Sequence, residues 1–155
     1  MSRGLVIAVV GAESTGKSTL APALAARLQD DTGLAATSVP EYLREWCGHT
    51  GRTPRIEEQA FIAATQRQRI EAAAATHAVV VADTTPVMIA VYSRLVFGDR
   101  SLEAPTGRWH AEHVAHTLVT ALDLPWQPDG LQRDGEHVRE PVDALLRELL
   151  AAHRI

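Results

Sequence analysis

Six consecutive apolar residues, LVIAVV at 5–10, stop at a glycine. Eight residues, GAESTGKS at 11–18, then lead into a segment with Leu20, Leu24 and Leu28 at helical spacing. A continuous β-branched run is the pattern of a strand buried on both faces, as in a parallel sheet. Leucines four apart mark one face of a helix. A buried strand that ends in a glycine-rich turn and feeds a helix commits the chain to an α/β fold, with that turn at the carboxyl edge of the sheet.

The turn fits G-x-x-x-x-G-K-[ST] without a mismatch, the pattern of a phosphate-binding loop. Glycines let successive N–H groups curl inward toward phosphate oxygens. The start of the helix adds positive potential there. Lys17 supplies a compact charge for β- and γ-phosphates, and Ser18 a hydroxyl for Mg²⁺. Gly11, Glu13, Ser14, Thr15, Gly16, Lys17, Ser18 and Thr19 are therefore the expected nucleotide-binding residues, with ATP and Mg²⁺ as cofactors. The bland alternative is a β-to-α turn that binds nothing. Composition argues against it: Lys17 is the sole lysine among 15 basic residues. A chain that uses arginine for generic charge has placed lysine where a point charge, not a planar fork, suits a tight anion nest.

The uniqueness of Lys17 also excludes the Asn-Lys-x-Asp loop with which GTPases read guanine. A transporter-type LSGGQ signature is absent as well, which leaves a small kinase or an ATPase. The net charge of −4 speaks against a nucleic-acid or membrane-surface binder. One cysteine, Cys47, allows no intrachain disulfide and fits a reducing compartment. No apolar run is long enough to span a membrane, so the expectation is a cytoplasmic protein with a small-molecule partner. Nothing in the sequence specifies an oligomeric state.

Further elements follow the same alternation. Strands are expected at 35–41, 77–85 and 117–124. Helices are expected from Lys17 to about Leu28, with an irregularity at Pro22, and briefly from Tyr42. A long helix capped at Thr53-Pro54 should reach about Thr76, with Ile56, Ala60, Ala63, Ala64 and Ile70 inside. Others run from Pro86 to about Phe97, through His110, His113 and His116, and from Pro141. Residues 98–107 and 125–140 read as loops. The result is one domain over 1–155, a three-layer α/β phosphate-loop kinase fold whose mainly parallel sheet has four to five strands.

A phosphoryl-transfer site needs carboxylates near the metal and the acceptor, and cations over the transferring group. Glu41 follows the second strand and Asp83 the third. Asp83 is assigned to Mg²⁺ or to the acceptor hydroxyl, its alternative being a helix cap before Pro86. Glu41 and Arg44, three apart, form either a substrate clamp or a plain ion pair. The 125–140 loop carries Arg133 and Arg139 with Gly130 and Gly135 as hinges, so it reads as a cationic lid or else a solvated linker. His110, His113 and His116 lack the i,i+4 pairing of a zinc helix and read as solvated or packing residues. Of Trp46, Trp109 and Trp126, the last is best placed for a ligand ring, although packing is the commoner use of tryptophan.

Taken in order, GAESTGKSTL, VPEYLREW, VVVADTTPVMIAVYSRLVFG and DLPWQPDG followed by Arg133 resemble the ribosylnicotinamide kinase domain of NadR-type proteins. The resemblance covers most of the chain, and its E-Y-x-R-E and D-x-P-W-x-x-D-G blocks are more specific than the phosphate loop. It implies a kinase that uses ATP and Mg²⁺ to phosphorylate the 5′-hydroxyl of nicotinamide riboside. Lys17, Asp83, Glu41 and Arg133 would then be catalytic, Ser18 and Asp83 would hold the metal, Glu41, Arg44, Asp83 and Trp126 would face the nucleoside, and Arg139 would join the nucleotide-binding set. The sequence departs from the family in three ways. The lid reads DGLQRD, with its arginine one residue displaced. No adenylyltransferase or DNA-binding segment precedes the loop, and no final strand is evident. A kinase for another nucleoside or nucleotide, and a nucleotide-binding regulatory module with little transfer, are the alternatives that these departures keep open.

Overall fold

The computed structural model of the protein describes residues 2–13, 15–122 and 138–155. Its strands are β1 (Leu5–Val10), β2 (Ala36–Val39), β3 (Val79–Asp83) and β4 (His116–Val119). Its helices are α1 (Lys17–Thr32), α2 (Tyr42–Thr50), α3 (Gln59–Thr76), α4 (Pro86–Phe97), α5 (Glu103–His113) and α6 (Arg139–Ala152), with a 3₁₀ turn at Ile56–Glu58 before α3. The strands form one parallel sheet in the order β2-β3-β1-β4. The four described strands agree with the expected three-layer α/β fold.

Alternation along the strands sends side chains into two cores. Val9 and Val81 pack with Ala21 and Ala25 of α1 on one face. Ala8 and Val10 point the other way, into a larger core with Leu43 and Cys47 of α2, Ile62 of α3, most of α4, and Val142 and Leu146 of α6. Val6, Val80 and Ala82 extend that second face toward Ile70 and Trp109. All five residues of β3 are buried. Both faces of the sheet are thus covered, which is why its central strands can be apolar throughout.

Register places the site. Val9 pairs with Asp83, so the last residue of β3 lies level with the strand end that feeds the glycine-rich loop. The last pair between β2 and β3 is Val39 with Ala82, which puts Glu41 just beyond the same edge. Glu41 is the residue that precedes α2.

Several boundaries differ from the sequence-based expectations. α1 runs unbroken through Pro22. The segment from Tyr42 stays helical to Thr50, where Gly51 ends it in the left-handed conformation. Thr53-Pro54 does not start α3: Glu58 accepts from the Arg55 amide and donates its own amide to the Arg55 carbonyl, which starts the 3₁₀ turn instead. The inward face of α3 is Gln59, Ile62, Ala63, Gln66, Ile70 and Ala74, whereas Ile56 is 47% exposed and Ala60 and Ala64 face outward. α5 occupies the second half of the expected 98–107 loop. His116 belongs to β4, not to the helix of His110 and His113. α6 begins at Arg139, two residues before Pro141.

Candidate functional site

The loop after β1 is held by its own side chains. Gly16 takes φ +88 and precedes the first residue of α1, a left-handed turn that glycine makes without steric cost. Thr15 donates its hydroxyl to the Ala12 carbonyl at 2.7 Å and lies 2.5 Å from the Thr120 hydroxyl at the end of β4. The Lys17 Nζ donates to the Ala12 carbonyl at 2.9 Å, and the side chain is buried. Glu13 is fully buried in the same loop. Thr19 and Ser18 stand exposed on the first turn of α1. Ser14 lies outside the described residues.

Across the loop, the Ser18 hydroxyl donates to Asp83 Oδ2 at 3.0 Å. Asp83 is buried. The adjacent Thr84 has φ +79, a conformation rare for a β-branched residue. Its hydroxyl points at Glu41 Oε2, 3.3 Å away. Glu41 is buried, while Arg44, with Nε 4.0 Å from Glu41 Oε1, is largely exposed. A cavity of about 310 Å³ opens beside these groups, lined by Ser18, Pro22, Ser38, Pro40, Glu41, Arg44 and Asp83 among others.

The structure therefore gathers Ser18, Asp83, Glu41 and Arg44 around one cavity beside the loop of Gly11, Lys17 and Thr19. Trp126 and Arg133 lie outside the described residues. The loop expected over 125–140 is corrected at its end: Arg139 is buried in the first turn of α6, because Val142 and Leu146, three and seven residues on, pull that turn into the core. Trp109 is a packing residue, its indole N–H donating to Glu71 at 2.8 Å and its ring stacked on His113. Trp46 lies under the Arg52 guanidinium.

Two supporting residues, Gln66 and Thr120, were not named from the sequence, and a third, His110, was read only as solvated or packing and proves to be buried. Gln66 donates to the Thr84 carbonyl and accepts from the Tyr42 amide, both at 2.8 Å. His110, fully buried, bridges the hydroxyls of Thr85 and Thr117 at 2.9 and 2.8 Å. Burial pushes its imidazole down to about 4. Thr120 buttresses the loop. Only Gln66 had a visible signal, a polar residue midway between Ile62 and Ile70 on the inward face of α3.

Among the described residues no group of three or more His, Cys, Asp or Glu could hold a metal alone. The Ser18 hydroxyl and Asp83 carboxylate are instead hard oxygen donors of the kind that hold Mg²⁺ together with phosphate oxygens and water. No helix among those residues is long and apolar enough to cross a membrane.

Comparison with known proteins bears on the family and the fold. No curated protein matches the sequence. The crystal structure of NadR protein in complex with NR is similar to this chain, with a TM-score of 0.73 and 23% identity. The match covers 96% of this chain and 43% of that one, and at this identity it shows a shared fold. The family model described as AAA domain matches residues 6–155. With a phosphate loop at the head of a parallel sheet and a model that spans nearly every residue, the chain belongs to the AAA domain family and is a P-loop nucleotide-binding domain.

Proposed function

We propose that this domain is an ATP- and Mg²⁺-dependent kinase that phosphorylates the 5′-hydroxyl of a nucleoside, nicotinamide riboside, to give nicotinamide mononucleotide. The observation that carries the proposal is the cavity beside the Ser18–Asp83 pair, with buried Glu41 in its wall. A carboxylate that only polarised water for ATP hydrolysis needs no cavity of about 310 Å³ beside it, so the room next to Glu41 supports a bound acceptor. The NadR fold, NR being read as nicotinamide riboside, supports the choice of acceptor.

In this reading Gly11–Thr19 cradle the phosphates, and Lys17 leaves the Ala12 carbonyl to reach the β- and γ-oxygens. Ser18 and Asp83 hold Mg²⁺, which when bound neutralises charge on those oxygens. Glu41 accepts the proton of the acceptor hydroxyl as its oxygen attacks the γ-phosphorus. The bond from that phosphorus to the bridging oxygen breaks, and the electron pair leaves with ADP. Arg44 orients the ribose at the mouth. Trp126 and Arg133, which lie outside the described residues, would cover the nicotinamide ring and the transferring group, while Arg139 is part of α6. Positioning and charge stabilisation supply most of the rate.

The test is direct. The protein is incubated with MgATP and a panel of nucleosides and nucleoside monophosphates, and products are resolved by mass. Nicotinamide mononucleotide with equimolar ADP is expected. Tight ATP binding with no phosphorylated product from any acceptor would overturn the proposal.

A further inference from the structure

Glu41 sits on the turn after β2 and Asp83 ends β3, and no ladder pair between those two strands reaches either residue: pairing ends at Val39 and Ala82. Besides the Thr84 hydroxyl, which lies 3.3 Å from Glu41 Oε2 and 3.5 Å from Asp83 Oδ1, what joins the two segments is one side chain from a third element. Gln66, 2% exposed on α3, accepts from the Tyr42 amide directly after Glu41 and donates to the Thr84 carbonyl directly after Asp83. We infer that Gln66 is a positioning residue that sets Glu41 and Asp83 in register across the acceptor cavity. The inference rests on the proposed roles of those two carboxylates.

The chemistry of the amide makes the link directional. Its oxygen must meet a donor and its nitrogen an acceptor: the oxygen takes the Tyr42 amide, and the nitrogen donates to the Thr84 carbonyl at 2.8 Å and, at 3.5 Å, to the Pro40 carbonyl. Thr84 shows what the link maintains. Its φ of +79 is a left-handed conformation that persists only when its surroundings hold it. Its amide is bound to the Val9 carbonyl at 2.9 Å and its carbonyl to Gln66. So held, Thr84 aims its hydroxyl at Glu41. Without the Gln66 donor, the Thr84 peptide loses the bond that fixes its plane, and Glu41 loses its alignment with the metal carboxylate. The proposed nucleotide contacts lie on the β1–α1 loop, to which Gln66 makes no hydrogen bond.

Two variants test this. Gln66→Met keeps the bulk of the side chain and removes its three hydrogen bonds, to the Tyr42 amide and to the Thr84 and Pro40 carbonyls. It should lower kcat/KM for nicotinamide riboside at least tenfold, leave Kd for a fluorescent MgATP analogue within threefold, and speed hydrogen exchange at the Tyr42 amide. Gln66→Glu keeps the acceptor for Tyr42 but, when ionised, turns a second acceptor on the Thr84 carbonyl. Its activity relative to wild type should be lowest at pH 8 and recover toward pH 6, as burial favours the neutral acid that can donate again. Transfer by Gln66→Met within twofold of wild type would overturn the inference. So would equal losses of nucleotide and acceptor affinity accompanied by a fallen melting temperature, which would mean a purely structural role. If the wild-type domain transfers phosphate to no acceptor, the kinase reading fails on its own. Tyr42 exchange then still decides the role of Gln66, because an unchanged rate in Gln66→Met would show that no turn is being held.

Discussion

The Ser18 hydroxyl lies 3.0 Å from Asp83 Oδ2, joining the first turn of α1 to the last residue of β3. The pair is a product of strand order. β1 and β3 are neighbours with Val9 opposite Asp83, so the helix that starts after the β1 loop begins beside the carboxylate that ends β3. Asp83→Asn keeps the shape and a weaker acceptor for Ser18 but removes the charge. Transfer should fall by about 10²–10³, the usual cost of losing one preorganised charge-stabilising group. The Mg²⁺ concentration for half-maximal activity should rise. Titration of activity against Mg²⁺ in both proteins checks this, and an unshifted midpoint would remove Asp83 from the metal.

Lys17 is buried on the Ala12 carbonyl, a neutral acceptor that a phosphate oxygen would outcompete for an ammonium. Lys17→Ala should reduce nucleotide turnover by at least about 10². Lys17→Arg should rescue little of it, because the planar guanidinium needs room that a buried, inward-facing position lacks. Steady-state ADP release in both variants is the measurement. Strong activity in the arginine variant would mean that generic charge suffices.

Gly11 is required by a close approach. A Cβ built there would stand 2.0 Å from the Thr120 hydroxyl, the same oxygen that meets Thr15 and the Val10 carbonyl. Gly11→Ala must therefore push β4 or the loop away, and overpacking of this kind costs about 1–3 kcal/mol. Adding Thr120→Ala should return part of that loss by making space, though not the Thr15 contact. Urea unfolding of the single and double variants checks the coupling, and simple additivity would show that the crowding relaxes elsewhere.

The phosphate loop and Asp83 were legible in the sequence because their signals are contiguous: a buried strand, then a turn or carboxylate, then a helix. Gln66 and Thr120 were not, nor were the partners of His110, which was read only as solvated or packing, because each acts on a segment remote in sequence and its role appears only once the elements pack. The misread phase of α3 has a related cause. Its alanines sit comfortably on either face, so they carry no phase information, and the two inward glutamines, Gln59 and Gln66, interrupt the apolar stripe that would have supplied it. The Thr53 cap failed for a local reason, since the Glu58 carboxylate takes both the Arg55 amide and the Arg52 guanidinium. Those bonds hold Glu58 down at about 2.

His110 gives the fold a pH dependence whose sign follows from its burial. The imidazole is held near 4 in the folded chain, below its ordinary value of 6.5, with burial as the cause. Between those values the unfolded chain binds a proton that the folded chain refuses, so stability falls as pH falls. The contribution is complete above about pH 6.5 and lost progressively toward pH 4, amounting to at most about 3 kcal/mol. Protonation would also force a donor onto both Thr85 and Thr117, which now share one donor and one acceptor nitrogen. His110→Gln retains hydrogen-bonding capacity but cannot gain a charge. Its urea midpoint should fall less steeply than that of wild type between pH 6.5 and pH 4.5. Carboxylates common to both proteins cancel in the comparison, so parallel slopes would mean that His110 is not the group that takes up the proton on unfolding.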